Sequence, residues 1–192
     1  MNVGEFLGSV NRFDLLVVLF VFGMFVLGFI QGTIRRVLGL ASMLFSFLFA
    51  ANLREPLGGY LAQNWHQYEP GYAIMLGFGI VFVAATIAFT VVIQGFYHKQ
   101  ALFKKNTVLD EVIGGLLGIV ELALFVGCGI VILDSFFTLN IAESSGELQF
   151  LRSIWNEMNT STTAALFRDT LIPGFVPVFG FVLPDFIKVM YR

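Results

Sequence analysis

Apolar positions gather along this chain in four long runs, at residues 13–31, 37–52, 72–94 and 112–136, and polar positions collect between them. A bilayer core about 30 Å thick needs about 20 helical residues, so each run is read as a membrane span; the second is short enough to require tilt or local thinning. In the fourth run Asp110, Gly114, Gly118, Glu121, Phe125 and Cys128 fall on one stripe at about 100° per residue. Glycines four apart let helix backbones approach closely, and an acid at mid-membrane is costly unless protein or water faces it. This stripe is therefore expected inside a bundle, with Gly114 and Gly118 at a helix contact and Gly115 and Gly127 off its line. The first run offers Gly28 and Gly32, which share a side with Asp14 and Arg36 if its helix continues that far. Small residues recur in the second run at Gly39, Ser42, Ser46 and Ala50, and in the third at Gly79, Thr86 and Thr90.

Between the runs, residues 31–36 read as the turn of a helical hairpin. Residues 52–71 read as a polar loop containing Pro56, Gly58 and Gly59, with interfacial aromatics Tyr60, Trp65 and Tyr68, and residues 97–111 as a charged connection. No small-residue cleavage site follows the first run, which argues against a removable signal peptide. Past residue 137, Ser144 and Glu147 have the spacing of a capping box opening a helix to about Asn159, with Leu148, Leu151, Ile154, Trp155 and Met158 as its apolar face. Pro173, Pro177 and Pro184 break the last stretch, which predicts an interfacial hairpin, then a short helix begun by Pro184 and closed by Lys188 and Arg192. The expected fold is an all-α integral membrane protein, a four-transmembrane-helix bundle with C-terminal amphipathic and interfacial helices. Its parts are an N-terminal segment 1–12, a membrane domain 13–137 and a tail 138–192.

Composition strengthens this picture, since 57% hydrophobic and 12% charged residues exceed what a soluble domain of this length needs. A net charge of −2 with no basic stripe gives nucleic-acid binding no electrostatic footing. The lone Cys128 supports neither a disulfide framework nor a thiolate metal site, and His66 and His98 have no partner at ligand spacing. No metal, cofactor or catalytic residue is expected, and the chain is not read as an enzyme. Five Lys and Arg follow the first and third runs (Arg35, Arg36, Lys99, Lys104, Lys105), against Arg12 and Arg54 on the other side, so the positive-inside rule puts both termini outside the cytoplasm.

The charged candidates for function are Asp14, Arg35, Arg36, Asp110, Glu121 and Asp134. Glu121 lies near the centre of the fourth run, and an unpaired charge there is expensive. Arg36 is separated from it in depth by about a dozen ångströms at 1.5 Å per residue. The reading therefore favours a neutral or hydrogen-bonded carboxyl, with Thr86 or Ser42 as partner, over a permanent ion pair.

The residues at two places resemble the motifs of the colicin V production protein (CvpA-like) family of small bacterial inner-membrane proteins, over about residues 11–137. The first family motif has an acid heading the first span, here Asp14, and then roughly R-G-x-x-R-E-x-L, where this chain has Gln31-Gly32-Thr33-Ile34-Arg35-Arg36-Val37-Leu38. The second, roughly D-R-x-x-G-x-x-x-G-x-x-R-G, is matched by Asp110, Gly114 and Gly118. Arg36 stands where the family has Glu, and Glu111 and Glu121 where it has Arg, which suggests exchanged signs with Arg36 meeting Glu111 or Glu121. The resemblance implies a role in producing or exporting a bacteriocin and supplies no catalytic residues. The expectation is a scaffold or interaction subunit that binds lipid and either another membrane protein or copies of itself. The alternative is an oligomeric channel or proton-linked transporter using Asp14, Glu121 and Asp134.

Overall fold

The computed structural model describes residues 11–96, 107–139 and 147–191, and all its regular elements are helical among the described residues. The four long helices are α1 (Arg12–Gln31), α2 (Thr33–Asn64), α3 (Pro70–Phe96) and α4 (Thr107–Phe137). All four are long and apolar enough to cross a membrane. A strap follows, made of α5 (Gln149–Asn159), α6 (Thr162–Leu166), a wide π turn (Phe167–Leu171), α7 (Ile172–Phe179) and α8 (Asp185–Met190). One end of the bundle holds Gly32, Thr33 and Asp110 and is called the arginine end. The other, which the strap closes, is the capped end.

α1 does not run on into α2. Gly32 interrupts the helix at φ +79°, a backbone conformation that costs glycine little, and its amide still closes α1 by donating to the Gly28 carbonyl. The turn predicted at residues 31–36 is thus this single residue, and Arg36 belongs to the first turns of α2, not to the side of α1 that carries Asp14. The two helices scarcely touch beyond the break: α1 packs on α4, and α2 on α3 and α4.

The α1–α4 contact is made of bare backbone. A Cβ on Gly114 would lie 2.5 Å from the Gly28 carbonyl oxygen and 2.8 Å from the Gly32 carbonyl carbon, one on Gly28 would strike the Gly114 carbonyl, and one on Gly118 the Met24 carbonyl. Gly28, Gly32, Gly114 and Gly118, each named as a packing residue from the sequence, come together here, and Thr33 fixes the register by donating to the Asp110 carbonyl at 2.9 Å. Gly115 is a correction: it is buried in the same contact, where a Cβ would come within 2.7 Å of the Phe25 ring. The stripe of α4 also divides: its glycines meet α1, Glu121 meets Gly39 on α2, and half of Phe125 is exposed.

The expected polar loop at residues 52–71 is mostly helix, and only residues 65–69 separate α2 from α3. Gly58 explains why: a side chain there would meet the Ile74 Cα at 2.6 Å, and Gly77 returns the approach against Gly58. This second glycine contact favours the helical course despite Pro56, and both Pro56 and Asn52, whose carbonyl loses its amide donor, are exposed. Between the two contacts, Phe47, Phe78, Phe82, Cys128, Ile130 and Val131 form the apolar core.

α5 starts at Gln149 and not at a capping box; Ser144 lies outside the described residues, and Glu147 pairs with Arg152 instead. Trp155 and Met158 are buried as predicted, whereas Ile154 is exposed. At the π turn the Ile172 amide reaches five residues back to Phe167, next to Pro173, which has no amide to donate. The predicted helix behind Pro184 is α8; Arg192 and His98 lie outside the described residues.

Two glycine substitutions separate close approach from helix propensity. Gly129 has nothing within 4 Å of a Cβ, so Gly129→Ala gains about 0.5–1 kcal/mol. Gly114→Ala loses that gain and more to backbone overlap, a net destabilisation of about 1–3 kcal/mol. Thermal unfolding of the two variants in detergent checks the opposite signs; equal shifts would mean the α1–α4 approach is not tight.

Candidate functional site

The four sequence-predicted acids occupy four separate places. Asp134, near the end of α4, is buried and accepts four hydrogen bonds from the strap and the C-terminal helix. The Arg168 guanidinium forks onto it, Nε to Oδ2 at 2.8 Å and Nη2 to Oδ1 at 2.6 Å. The Trp155 indole donates to Oδ1 at 3.0 Å and the Tyr191 hydroxyl to Oδ2 at 2.8 Å. Parallel donation from one guanidinium fixes direction as well as charge, and every carboxylate oxygen is doubly bonded by donors. Burial, then the neighbouring Asp134 charge, pushes the Tyr191 phenol above its ordinary value, so it stays a donor. For Arg168 burial opposes the charge, but the bonds and charge of Asp134 outweigh it and hold the guanidinium above its usual value. Arg168 also donates to Asn159 at 2.8 Å, tying the π turn back to α5.

Asp14 heads α1 and works as a cap for another helix. Its carboxylate accepts from the Ser161 hydroxyl at 2.6 Å and from the amides of Thr162 and Thr163 at 3.2 and 2.9 Å, the otherwise unpaired donors that open α6. Asn11 completes the corner, accepting from Phe13 while donating to the Glu157 carbonyl at 2.9 Å and to Thr160 at 2.8 Å. Beside it, Arg152 and Glu147 form a bidentate pair with side chains 5% exposed each, the guanidinium lying 4.5 Å over the Phe137 ring.

Glu121 pairs with Arg36, a correction to the neutral carboxyl expected there. The side chains are 14% and 6% exposed. Ser42 and Thr86 bond instead to carbonyls of their own helices, Leu38 and Phe82. Glu121 reaches Arg36 across their difference in depth for a geometrical reason. α2 and α4 both run from the arginine end, and Cβ atoms lean toward a helix N-terminus, so the Glu121 side chain bends back toward Arg36. Gly39 makes the room, since a Cβ there would stand 2.6 Å from the Glu121 Oε1. Arg36 Nε remains buried without a hydrogen-bond partner. Arg35 is half-buried and has no acidic partner among the described residues, and Asp110 is buried against Gly32.

Sequence reading missed Arg168, Tyr191, Ser161 and the donor role of Trp155. One signal existed for Arg168: a cation next to an apolar, proline-broken stretch needs a partner, and Asp134 was among the acids left without one.

A family model described as Colicin V production protein matches residues 13–171. The match continues past the four long helices to the π turn, taking in Trp155 and Arg168. No curated protein and no solved structure matches the chain.

Removing one member of a buried ion pair leaves the other charge uncompensated, at about 3–5 kcal/mol, whereas replacing both by apolar groups of similar volume is often neutral. Arg36→Met and Glu121→Met are each expected to destabilise by about that amount, and the double variant to recover most of it, read as unfolding in detergent. A double variant as damaged as the sum of the singles would refute the pairing.

Asp134→Asn should release the strap, giving rapid trypsin cleavage at Arg168, which the wild-type protein resists. The raised Tyr191 value adds a pH arm. Its docking contribution is complete below the ordinary phenol value of 10.0 and declines as pH rises above it. Tyr191→Phe removes that dependence, and an unchanged cleavage profile in this variant would count against it.

Proposed function

The chain belongs to the colicin V production protein family, and on that premise we propose that it is a multi-pass protein of the bacterial inner membrane, serving colicin V production or export as a scaffold or interaction subunit and not as an enzyme. Its four long helices are the spans, and α1 turns Leu15, Leu19, Phe22 and Ile30 outward, toward lipid or a neighbouring protein. Its termini lie outside the cytoplasm, because the cations at Arg35, Arg36, Lys99, Lys104 and Lys105 follow the first and third spans.

The observation that carries the scaffold reading over a conduit is the state of the acids. Asp14 caps α6, Asp134 is saturated by Arg168, Trp155 and Tyr191, and Glu121 is held by Arg36. A path for protons or ions needs acids that exchange partners with water or solute. These three hold helices together.

Two measurements test the proposal. An alkaline phosphatase fusion at Arg192 is expected to be active and a cytoplasmic reporter there silent; the reverse pattern sinks the orientation. The purified protein, sealed into liposomes after its assembly mass is measured, is expected to self-associate or keep a partner while passing no more protons or potassium than empty vesicles. Flux above that level would favour the conduit.

A further inference from the structure

Between α2, α4 and the strap lies a cavity of about 430 Å³ whose lining residues are all apolar, among them Leu44, Ala123, Gly127, Phe167, Phe175 and Ile187. An apolar cavity of only about 150 Å³ already stays dry and takes up a hydrocarbon guest. Next to it is a second cavity, of about 700 Å³, where polar groups of Asp134, Asn159, Arg168, Asp169 and Tyr191 share the wall with apolar surface such as Pro173 and Met190. The two are stacked. Val131 and Ile187 line the apolar cavity, while Asp134 and Tyr191, one helical turn further along α4 and α8, line the polar one.

The polar cavity has groups to spare. Arg168 has five N–H donors, of which Asp134 and Asn159 take three, leaving two on a side chain that is 21% exposed. Asp169 adds an exposed carboxylate on the same rim. We propose that the two cavities together hold one aminophospholipid of the bilayer, an acyl chain in the apolar cavity, its phosphate at Arg168 and its ammonium at Asp169. The proposal rests on reading the four long helices as membrane spans. Leu171, Val178, Phe181 and Val189 stay exposed along the strap, which keeps the crevice beside lipid. A helix of a second copy, about 10 Å across, would exhaust the apolar volume of about 430 Å³ in about one turn, whereas a single hydrocarbon chain is much narrower.

The test uses the full chain in vesicles of phosphatidylglycerol, doped with a phosphatidylethanolamine whose acyl chain carries a photoactivated diazirine. Cross-linked peptides are mapped by mass spectrometry. Labelling at Leu44, Gly127 and Phe175 is expected to exceed labelling at Leu19 and Phe22 on α1 about tenfold. Excess unlabelled phosphatidylethanolamine should remove the crevice signal, and excess diacylglycerol, which lacks the phosphate and amine, should not. Ala123→Trp, or Ala41→Trp if the first does not fold, fills the crevice and should abolish its label while α1 keeps its own. Crevice labelling no stronger than that of α1, equal competition by diacylglycerol, or a crevice cross-linked to a second copy or to another protein would overturn the lipid site. Absence of label on α1 as well would overturn the membrane reading itself.

Discussion

A carboxylate held away from water must have its charge and its lone pairs met by the protein, and Asp134 imposes that requirement on everything after α4. Its donors come from α5, the π turn and the residue that ends α8, so three segments that share little sequence pattern converge on one side chain. Desolvation on this scale is repaid only when geometry is close and every acceptor is used, and here every acceptor is. The strap is therefore not a tail lying wherever its apolar face finds lipid. Its position is set by hydrogen-bond direction at Asp134, then by the Asp14 cap on α6 and the Arg152–Glu147 pair against Phe137.

The bundle beneath the strap is arranged by a different constraint, the distance between backbones. With the long helices read as membrane spans, as proposed above, lipid is as apolar as a leucine side chain, so hydrophobicity gives α1 little reason to leave it for α4. Close van der Waals approach supplies the reason, and only glycine permits it at Gly28, Gly114 and Gly118. Gly58 and Gly77 do the same for α2 and α3. With α1 on α4 and α3 on α2, the α2–α4 interface becomes the seam between two pairs, and it carries both the Arg36–Glu121 pair and the apolar cavity.

What could be read from the chain divides along this line. Periodicity and run length pointed to four helices, and the spacing of Gly114 and Gly118 to a contact face on the fourth, because both are local properties of a helix; the break at Gly32 and the choice of α1 as the partner were not legible. Gly58 looked like a loop residue because a glycine beside proline has the same signature in a turn as in a close-packed helix; only Ile74, sixteen residues on, distinguishes them. Arg168 and Tyr191 were illegible for a related reason. Each is polar in a segment that reads as interfacial, and their common partner lies 34 and 57 residues away. The motif comparison anticipated one long-range pairing, since the exchange of signs between Arg36 and Glu121 set two departures against each other.

That pairing also bears on how the acids relate to one another. Glu121 and Asp134 share α4, but at 1.5 Å per residue they stand about 20 Å apart along its axis. Buried between and around them are the apolar Cys128, Ile130, Val131, Phe47, Phe78 and Phe82, together with Ser46, whose hydroxyl donates to the Ser42 carbonyl on its own helix. A relay passes protons through groups or waters within hydrogen-bond reach, and the Ser46 hydroxyl, already bonded to its own helix, does not bridge that distance through a layer otherwise built of apolar side chains. The apolar cavity beside that layer has only hydrocarbon, sulfur and glycine on its walls. Each acid is thus confined to its own compartment, Glu121 to the seam between α2 and α4, Asp134 to the strap and Asp14 to the corner where α1 begins, and charge in this fold joins helices pairwise where hydrophobic contact alone would leave them free to slide.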